Sequence, residues 1–375
     1  MYNKNQPVRV LQIAGTLAPG GIESFLVNLH EHMDLSRVTF DYAVHAQAEG
    51  AYAERVKAMG ARVYLLPRLS HDPAGNLREI GRLVRENRYD VVVRNTPNAM
   101  ITPQLIAAKK NGAGTVLHAH ASLDPMKAAH FAGRLLVDRA ADVRVACSEA
   151  AGRWMFGKRT FTLMKNAVDL GKFAYRAEAE ARIRDEFHLE GAHLYGAIGN
   201  LRPEKNHRYT LEVFRKIKDA DDAAVLLCVG DGALRPEIEA RIRELHLDDS
   251  VILAGMRNDV ADIMCALDVL FFPSLFEGMP VTLIEAQASG LPVLLSDRIT
   301  RDAEVTKGLM TYLSIDGAPE LWAEHAAGKM AEINAAQKPS MRIQQTQTIA
   351  EHGYDIERMA GEYRDMIVRL ATERR

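Results

Sequence analysis

The sequence predicts an α/β protein made of two doubly wound units, each a parallel sheet with helices on both faces. Three observations predict it. Short apolar runs alternate with helical patterns along nearly the whole chain, which is the pattern of a covered parallel sheet. That rhythm breaks once, near residues 165–187, and then restarts. The chain has 375 residues, too many for one average domain and close to two.

The first series opens with Val8–Ile13, an apolar run that ends in the glycine-rich loop AGTLAPGG. Behind it, Ile22, Phe25, Leu26, Leu29 and Met33 fall on one face of a helix. Further strands are expected at Val38–Val44, Ala61–Leu66, Asp90–Val93, Gly114–His118 and Asp142–Ala146, with helices at Pro73–Asn87 and Thr102–Asn111. After the polar, highly charged stretch YRAEAEARIRDEF, the second series places strands at Leu194–Ile198, Ala224–Val229, Val251–Leu253, Val269–Phe272 and Pro292–Leu295. Helical patterns follow most of them, at Tyr209–Lys218, Leu234–Leu245, Val260–Leu267 and Val281–Ser289. An amphipathic helix, Asp355–Leu370, stands apart from both series. The expected division is 1–168, 169–352 and a terminal helix within 353–375.

Composition narrows the function. Lys and Arg number 47 against 49 Asp and Glu, so no global charge points to nucleic acid. Cys147, Cys228 and Cys265 are scattered and lie in apolar contexts, which fits buried thiols in a reducing compartment. The opening residues carry no signal-peptide pattern, and no apolar run approaches a membrane span. The expected location is the cytoplasm, with peripheral contact on the inner face of the cell membrane left open.

In open α/β sheets, ligands bind outside the carboxyl ends of the strands. In the second unit those loops are GNLRPEKN, VGDGA, AGMRND and PSLFEGMP. Glycines and helix starts favour anions. Gly278, Met279 and Pro280 are such a start, with Pro280 expected at the first helical position, and Arg202 and Lys205 supply positive charge. A diphosphate is the expected guest. Glu277 lies on the loop, where it can accept hydrogen bonds from sugar hydroxyls. Glu285 lies about one and a half turns into the next helix; it either accepts both hydroxyls of a ribose or is a partly buried residue paired with a lysine.

These residues resemble a known family. SLFEGMPVTLIEAQASGLPVLLSD looks like the E-x7-E signature of retaining glycosyltransferases with the GT-B fold (family 4, group 1), which include bacterial capsular and exopolysaccharide enzymes. APGGIESFLVNL resembles that family's amino-terminal glycine loop, KNAVDLGKF its hinge, AIGNLRPEKNH its lysine loop and VGDGALRPEIE the loop after the next strand. The resemblance implies two Rossmann-like domains facing a cleft, a terminal helix crossing back to the first, and a nucleotide-sugar donor, with UDP the expected nucleotide. It assigns Glu285 to the ribose, Glu277 to the donor sugar, Lys205 to the diphosphate, Gly278, Met279 and Pro280 to the turn around sugar and phosphates, and Met256 and Arg257 to the vicinity of the base. Gly20 and Gly21 let the first-domain loop approach the donor. The family's phosphate-binding arginine aligns with Asn200, a departure for which Arg202 is the candidate replacement.

His118 and His120 stand at the end of a strand and share a face. The family has a histidine at this loop that contacts the donor sugar. His120 fits that place, and His118 is read as structural; a zinc site lacks further ligands nearby. Neither a cofactor nor a metal is expected, because no D-x-D pair follows a strand where a metal-dependent transferase would use it. Retention at the anomeric carbon is implied, with Glu277 positioning the sugar.

The acceptor is expected on the first domain: a glycan, lipid-linked and part of a growing surface polysaccharide. The loop Arg94–Met100 is one candidate lining. Residues 127–159 carry seven basic and three acidic residues, 7 − 3 = +4, with Trp154, Met155 and Phe156 interleaved. That segment either rests on an anionic membrane or is a solvated helix face over core aromatics. Two other functions use the same architecture: a sugar-nucleotide epimerase or hydrolase, and a catalytically weak nucleotide-sugar sensor.

Overall fold

The computed structural model describes residues 6–18, 20–45, 50–121, 126–277, 279–336, 342 and 346–374. The chain forms two compact units, Met1–Ala167 with Gly353–Arg375, and Val168–His352.

The first unit holds a seven-stranded parallel sheet: β1 Val8–Ala14, β2 Val38–Val44, β3 Val63–Leu65, β4 Val91–Thr96, β5 Gly114–Ala119, β6 Val143–Ala146 and β7 Thr162–Leu163. Its spatial order is β3-β2-β1-β4-β5-β6-β7. Val8 pairs with Val38 on one side of β1, and Val10 with Val91 on the other. Every residue of β4 and β5 is buried, as a sheet covered on both faces requires. The helix Gly21–Glu31 buries Phe25, Leu26 and Leu29, the stripe its periodicity marks.

The helix Ile356–Glu373 belongs to this unit. Asp355 caps it, its carboxylate accepting from the Glu357 amide at 2.9 Å. Ile356, Met359, Tyr363, Ile367 and Leu370 bury themselves in the same cluster as Val10, Phe25 and Tyr42.

The second unit holds six parallel strands: β8 His193–Ile198, β9 Ala224–Val229, β10 Val251–Gly255, β11 Val269–Phe272, β12 Val293–Ser296 and β13 Met310–Leu313, in the order β10-β9-β8-β11-β12-β13. Both sheets therefore reverse direction beside their first strand, between β1 and β4 and between β8 and β11. Those are the topological switch points at which such sheets take ligands.

Two features differ from the sequence reading. The charged stretch after residue 174 contains a regular helix, Ala177–Glu186. Ala179 and Ile183 make its buried face, and its charges dock it: Arg176 and Arg182 reach Asp262, while Arg184 reaches Asp268 at 3.0 Å. β7 and β13 complete the sheet edges without having been anticipated. β7 is two exposed residues and β13 only four, too short for an alternating pattern to register.

Candidate active site

The second unit's switch point is formed by the loop after β8 and the loop after β11. Two hydrogen bonds stitch them together: the Leu275 amide donates to the Glu204 carbonyl at 2.8 Å, and Asn206 Nδ2 to the Pro273 carbonyl at 3.3 Å. Asn206 adopts a left-handed conformation, φ 55°, which turns the chain from Pro203–Lys205 into the helix His207–Ala220. This geometry brings Lys205 Nζ to 2.5 Å from Glu277 Oε1. The ammonium also lies 4.9 Å from the centre of the Phe272 ring. Both side chains are about one-fifth exposed.

The floor beneath Lys205 is backbone. A Cβ at Gly199 would lie 3.1 Å from Lys205 Cε, and one at Gly230 would lie 2.1 Å from the Gly199 carbonyl oxygen. The β8 and β9 loops thus pack main chain on main chain, and Gly230 holds φ 136° to do so.

Glu285 is the fifth residue of the helix Val281–Ala288 and is partly buried. Burial raises its carboxyl from 4.5 to about 7, against the opposing pull of Lys172. Its carboxylate has no hydrogen-bond or ion-pair partner among the described residues, which leaves it to solvent or to a ligand that supplies donors. The helix begins at Val281 with Pro280 as its cap residue, φ −74° and ψ 110°. Pro280 is therefore just outside the helix and not at its first position, because its extended ψ has not yet turned helical. Met279 is partly buried beside it. Gly278 lies outside the described residues.

The remaining donor-side candidates are dispersed. Asn200 is partly buried. Arg202 is exposed and lines a groove of about 410 Å³ with His207, Arg208 and Arg241, between two helices; neither Lys205 nor Glu277 lines it. Arg257 is bound by Glu186 at 2.6 and 3.0 Å and by Asp259 at 2.9 and 2.8 Å, so its guanidinium is committed and only its backbone is free for a base. Met256 beside it is 54% exposed.

In the first unit, Gly20 is the extended cap residue of Gly21–Glu31, and a Cβ there would meet the Glu23 carboxylate at 2.5 Å. A Cβ at Gly21 would meet open space. His118 and His120 stand side by side, ring centres 4.0 Å apart, both against Phe25. His118 is fully buried with neither ring nitrogen hydrogen-bonded, and burial pushes its pKa well down. His120 reaches the surface of the unit; its Nε2 lies 3.1 Å from Asn95 Oδ1, and burial lowers its pKa to about 3. Both rings are neutral at physiological pH. Among the described residues no group of three or more His, Cys, Asp or Glu side chains is placed to hold a metal ion.

Two family descriptions match the chain: "Glycosyltransferase Family 4" over residues 19–171 and "Glycosyl transferases group 1" over residues 192–330. EpsF of Bacillus subtilis, named as a glycosyltransferase, is 30% identical over 369 residues, 94% of each chain. The chain belongs to the glycosyltransferases of family 4, group 1. A second relative of this glycosyltransferase is the Escherichia coli UDP-Gal:alpha-D-GlcNAc-diphosphoundecaprenol alpha-1,3-galactosyltransferase, 33% identical over 146 residues, 36% of each chain. The crystal structure of HepE from Anabaena in complex with UDP superimposes with a TM-score of 0.77 at 19% identity, covering 96% of this chain and 99% of that one. The glycosyltransferase therefore has the GT-B fold of two Rossmann-like α/β domains.

Sequence reasoning missed three groups in the glycosyltransferase. Lys172 is the charge acting on Glu285; it stands in KNAVDLGKF, a motif used only as a boundary. His207 is buried with both ring nitrogens unpaired, and burial lowers its pKa to about 4. Gln12 lies inside strand β1 between Leu11 and Ile13, where a polar residue amid apolar neighbours is the readable signal.

Proposed function

We propose that this glycosyltransferase transfers a hexosyl group from a UDP-sugar, with retention of anomeric configuration and without a metal, to a lipid-linked glycan of a surface polysaccharide. The observation that carries the reading is the Lys205–Glu277 pair at the switch point, with the half-buried, partnerless Glu285 in the helix that follows. Glu285 takes the two ribose hydroxyls. Lys205 meets the diphosphate, on which negative charge grows as the sugar departs; a cation already in place stabilises that charge without reorganisation. Glu277 then turns to the donor sugar and fixes its orientation. The acceptor hydroxyl attacks from the face the diphosphate leaves, and a phosphate oxygen takes its proton. The Anabaena neighbour's bound UDP supports the nucleotide, and the Escherichia coli relative's name supports a lipid diphosphate acceptor.

The first unit also supports an approach to lipid, with a change in the residues concerned. Met155 and Phe156 are fully buried core, not a surface patch, and Trp154 stacks on His130 at 4.0 Å. The helix Lys127–Arg134 turns a different apolar set outward: Met126 is 52%, Phe131 50% and Leu135 81% exposed, beside Lys127, Arg134 and Arg139. Apolar anchors ringed by cations suit the anionic inner face of a cell membrane. No helix among the described residues is long and apolar enough to cross one.

The test is a melting-temperature screen against UDP, GDP and ADP and their sugar conjugates, followed by transfer assays with and without a strong chelator. UDP and one UDP-sugar raise the melting point, and transfer survives chelation. Stabilisation by GDP or ADP alone, or transfer abolished by the chelator, contradicts the proposal.

A further inference from the structure

The first sheet has its own switch point, between β1 and β4, and a buried cation stands in it. Arg94 of β4 pairs in register with Ile13 of β1. Its Nη1 donates to the Ile13 carbonyl at 3.1 Å and to the Asn95 carbonyl, and its Nε donates to Gln104 Oε1 at 2.8 Å. These bonds fix the guanidinium at the carboxyl ends of the strands, the edge where such sheets take ligands. Arg94 is 5% exposed, and burial lowers its pKa to about 9, which leaves it charged at neutral pH. All three of its bonded partners are neutral oxygens. It forms no ion pair with a carboxylate among the described residues; Glu23 acts on it only from farther off. Gln104 Nε2 donates to Asn76 Oδ1 at 2.8 Å and lies 3.0 Å from His45 Nε2, a ring that burial keeps neutral with a pKa of about 4. A charge this deep is costly unless an opposite charge meets it. Nη2 makes no hydrogen bond to a described residue, and it is not among the buried unpaired atoms, so it keeps contact with solvent. Its two N–H groups are left for an anion.

The segment that Arg94 begins leads to the helix that carries the outward apolar stripe. The Ala99 amide donates to His130 Nδ1 at 3.2 Å, and Thr102 Oγ1 donates to the Gly133 carbonyl at 3.2 Å. A Cβ at Gly133 would lie 2.0 Å from the Ala99 carbonyl oxygen, so segment and helix touch main chain to main chain. Phe131 stands on that helix and Leu135 caps it. An amphiphile whose anionic head reaches Arg94 therefore finds apolar surface for its tail along the same segment. We infer that Arg94 binds a phosphate oxygen of a polyprenyl diphosphate acceptor at the switch point of the first unit. The inference rests on the proposed lipid-linked acceptor and adds the residue that recognises its head. A guanidinium suits a phosphate because two N–H groups can meet two oxygens in one plane. The neutral amides around Arg94 hold it in place and leave its charge for the ligand.

The test uses the full-length protein saturated with UDP, so that the nucleotide site is filled, and follows farnesyl diphosphate binding by calorimetry. Farnesol and inorganic pyrophosphate are the comparison probes. The wild type binds farnesyl diphosphate roughly tenfold or more tightly than either. Arg94→Gln weakens that binding roughly tenfold, with UDP affinity unchanged. Arg94→Lys, which keeps the charge and loses the planar fork, weakens it less. An Arg94→Gln protein that fails to fold is replaced by Gln104→Glu, which gives Arg94 a carboxylate partner of its own. That variant also binds farnesyl diphosphate roughly tenfold more weakly, and its melting point does not fall. A wild type that does not bind farnesyl diphosphate overturns the inference, as do folded variants that bind it as the wild type does. Equal binding of farnesol leaves the head unrecognised, and equal binding of pyrophosphate makes a free phosphate the ligand; either result overturns the lipid diphosphate as occupant. Binding is read without turnover. Farnesyl diphosphate held through Arg94 by a protein that transfers to no lipid-linked glycan therefore sinks the proposed reaction and leaves this site standing.

Discussion

Lys205 Nζ and Glu277 Oε1 stand 2.5 Å apart, joining the loop after β8 to the loop after β11. The cation is the one proposed for phosphate and the carboxylate the one proposed for the sugar. The donor must exchange this contact for two others.

That exchange separates the two residues experimentally. Lys205→Ala lowers turnover by on the order of a hundredfold, because charge building on the diphosphate loses its partner. Glu277→Gln frees Lys205 from its counter-ion, so UDP binds at least as tightly as to the wild type while turnover falls. Calorimetry with UDP and steady-state rates check both. A Glu277→Gln protein that loses more UDP affinity than Glu285→Ala contradicts the assigned roles.

Glu285 predicts a pH dependence whose sign follows from its burial. Its carboxyl titrates at about 7 in the fold against 4.5 ordinarily. Between those values the unfolded chain loses the proton first, so the contribution of Glu285 to stability falls with rising pH, by on the order of 3 kcal/mol, and levels above pH 7. Glu285→Gln removes that loss: the variant melts higher than the wild type at pH 8 and level with it at pH 4. Ribose hydroxyls prefer the ionised form, so wild-type affinity for a UDP-sugar weakens as pH drops below 7, while the glutamine variant binds weakly at every pH. His30, His45, His118, His120 and His207, lowered in the fold from 6.5, add stability as pH rises over the same window, so the difference between wild type and Glu285→Gln, not the wild-type curve, isolates Glu285. An unchanged dissociation constant from pH 5.5 to 8 in the wild type counts against Glu285 as the ribose ligand.

Gly230 predicts a local collapse. An alanine there must relieve a 2.1 Å contact with the Gly199 carbonyl and abandon φ 136°. Gly230→Ala costs about 2–4 kcal/mol and displaces the backbone leading to Lys205, so UDP affinity falls with stability. Gly60, at φ 89° with nothing near its missing Cβ, is the control: alanine there costs about 1 kcal/mol and leaves UDP binding untouched. Equal effects in thermal unfolding refute the distinction.

The outward stripe predicts lipid binding. Wild-type protein sediments with anionic vesicles and is released by salt. Phe131→Ser with Leu135→Ser weakens that binding at least tenfold, since two exposed apolar side chains lose their burial in lipid, and the melting point falls only by the loss of the Phe131 edge contacts with His130 and Trp154. Equal sedimentation of the double variant rules this face out.

Much of the fold was legible because parallel strands are buried on both faces and read as continuous apolar runs. Val91–Thr96 and Ala224–Val229 are such runs. Ala177–Glu186 was not legible, because Arg176, Arg182 and Arg184 look solvated in a sequence and become ties to Asp262 and Asp268 only after β8 and β11 come together. At the proposed site, Glu277 and Lys205 were recognisable as residue types on strand-end loops, and Glu285 as a carboxylate in the helix that follows. Their pairing was not, since residues 205 and 277 meet only through the reversal of strand order between β8 and β11. The buried hydrogen bonds that link Tyr363 to Gln12, Gln12 to Asn95 and Asn95 to His120 lay further out of reach: their partners are 351, 83 and 25 positions apart in sequence.

The helix Ile356–Glu373 has a consequence for how the protein is made. It supplies Ile356, Met359, Tyr363 and Ile367 to the hydrophobic interior of the first unit, yet the ribosome delivers it only after the 185 residues of Val168–His352. At ordinary translation speeds that is a delay of about ten to forty seconds. During it the nascent amino-terminal half waits with an uncovered apolar face, while the half synthesised later already has every strand it needs. Maturation therefore runs against the direction of synthesis, and a chaperone that shields apolar surface finds its client in the part of the chain that left the tunnel first.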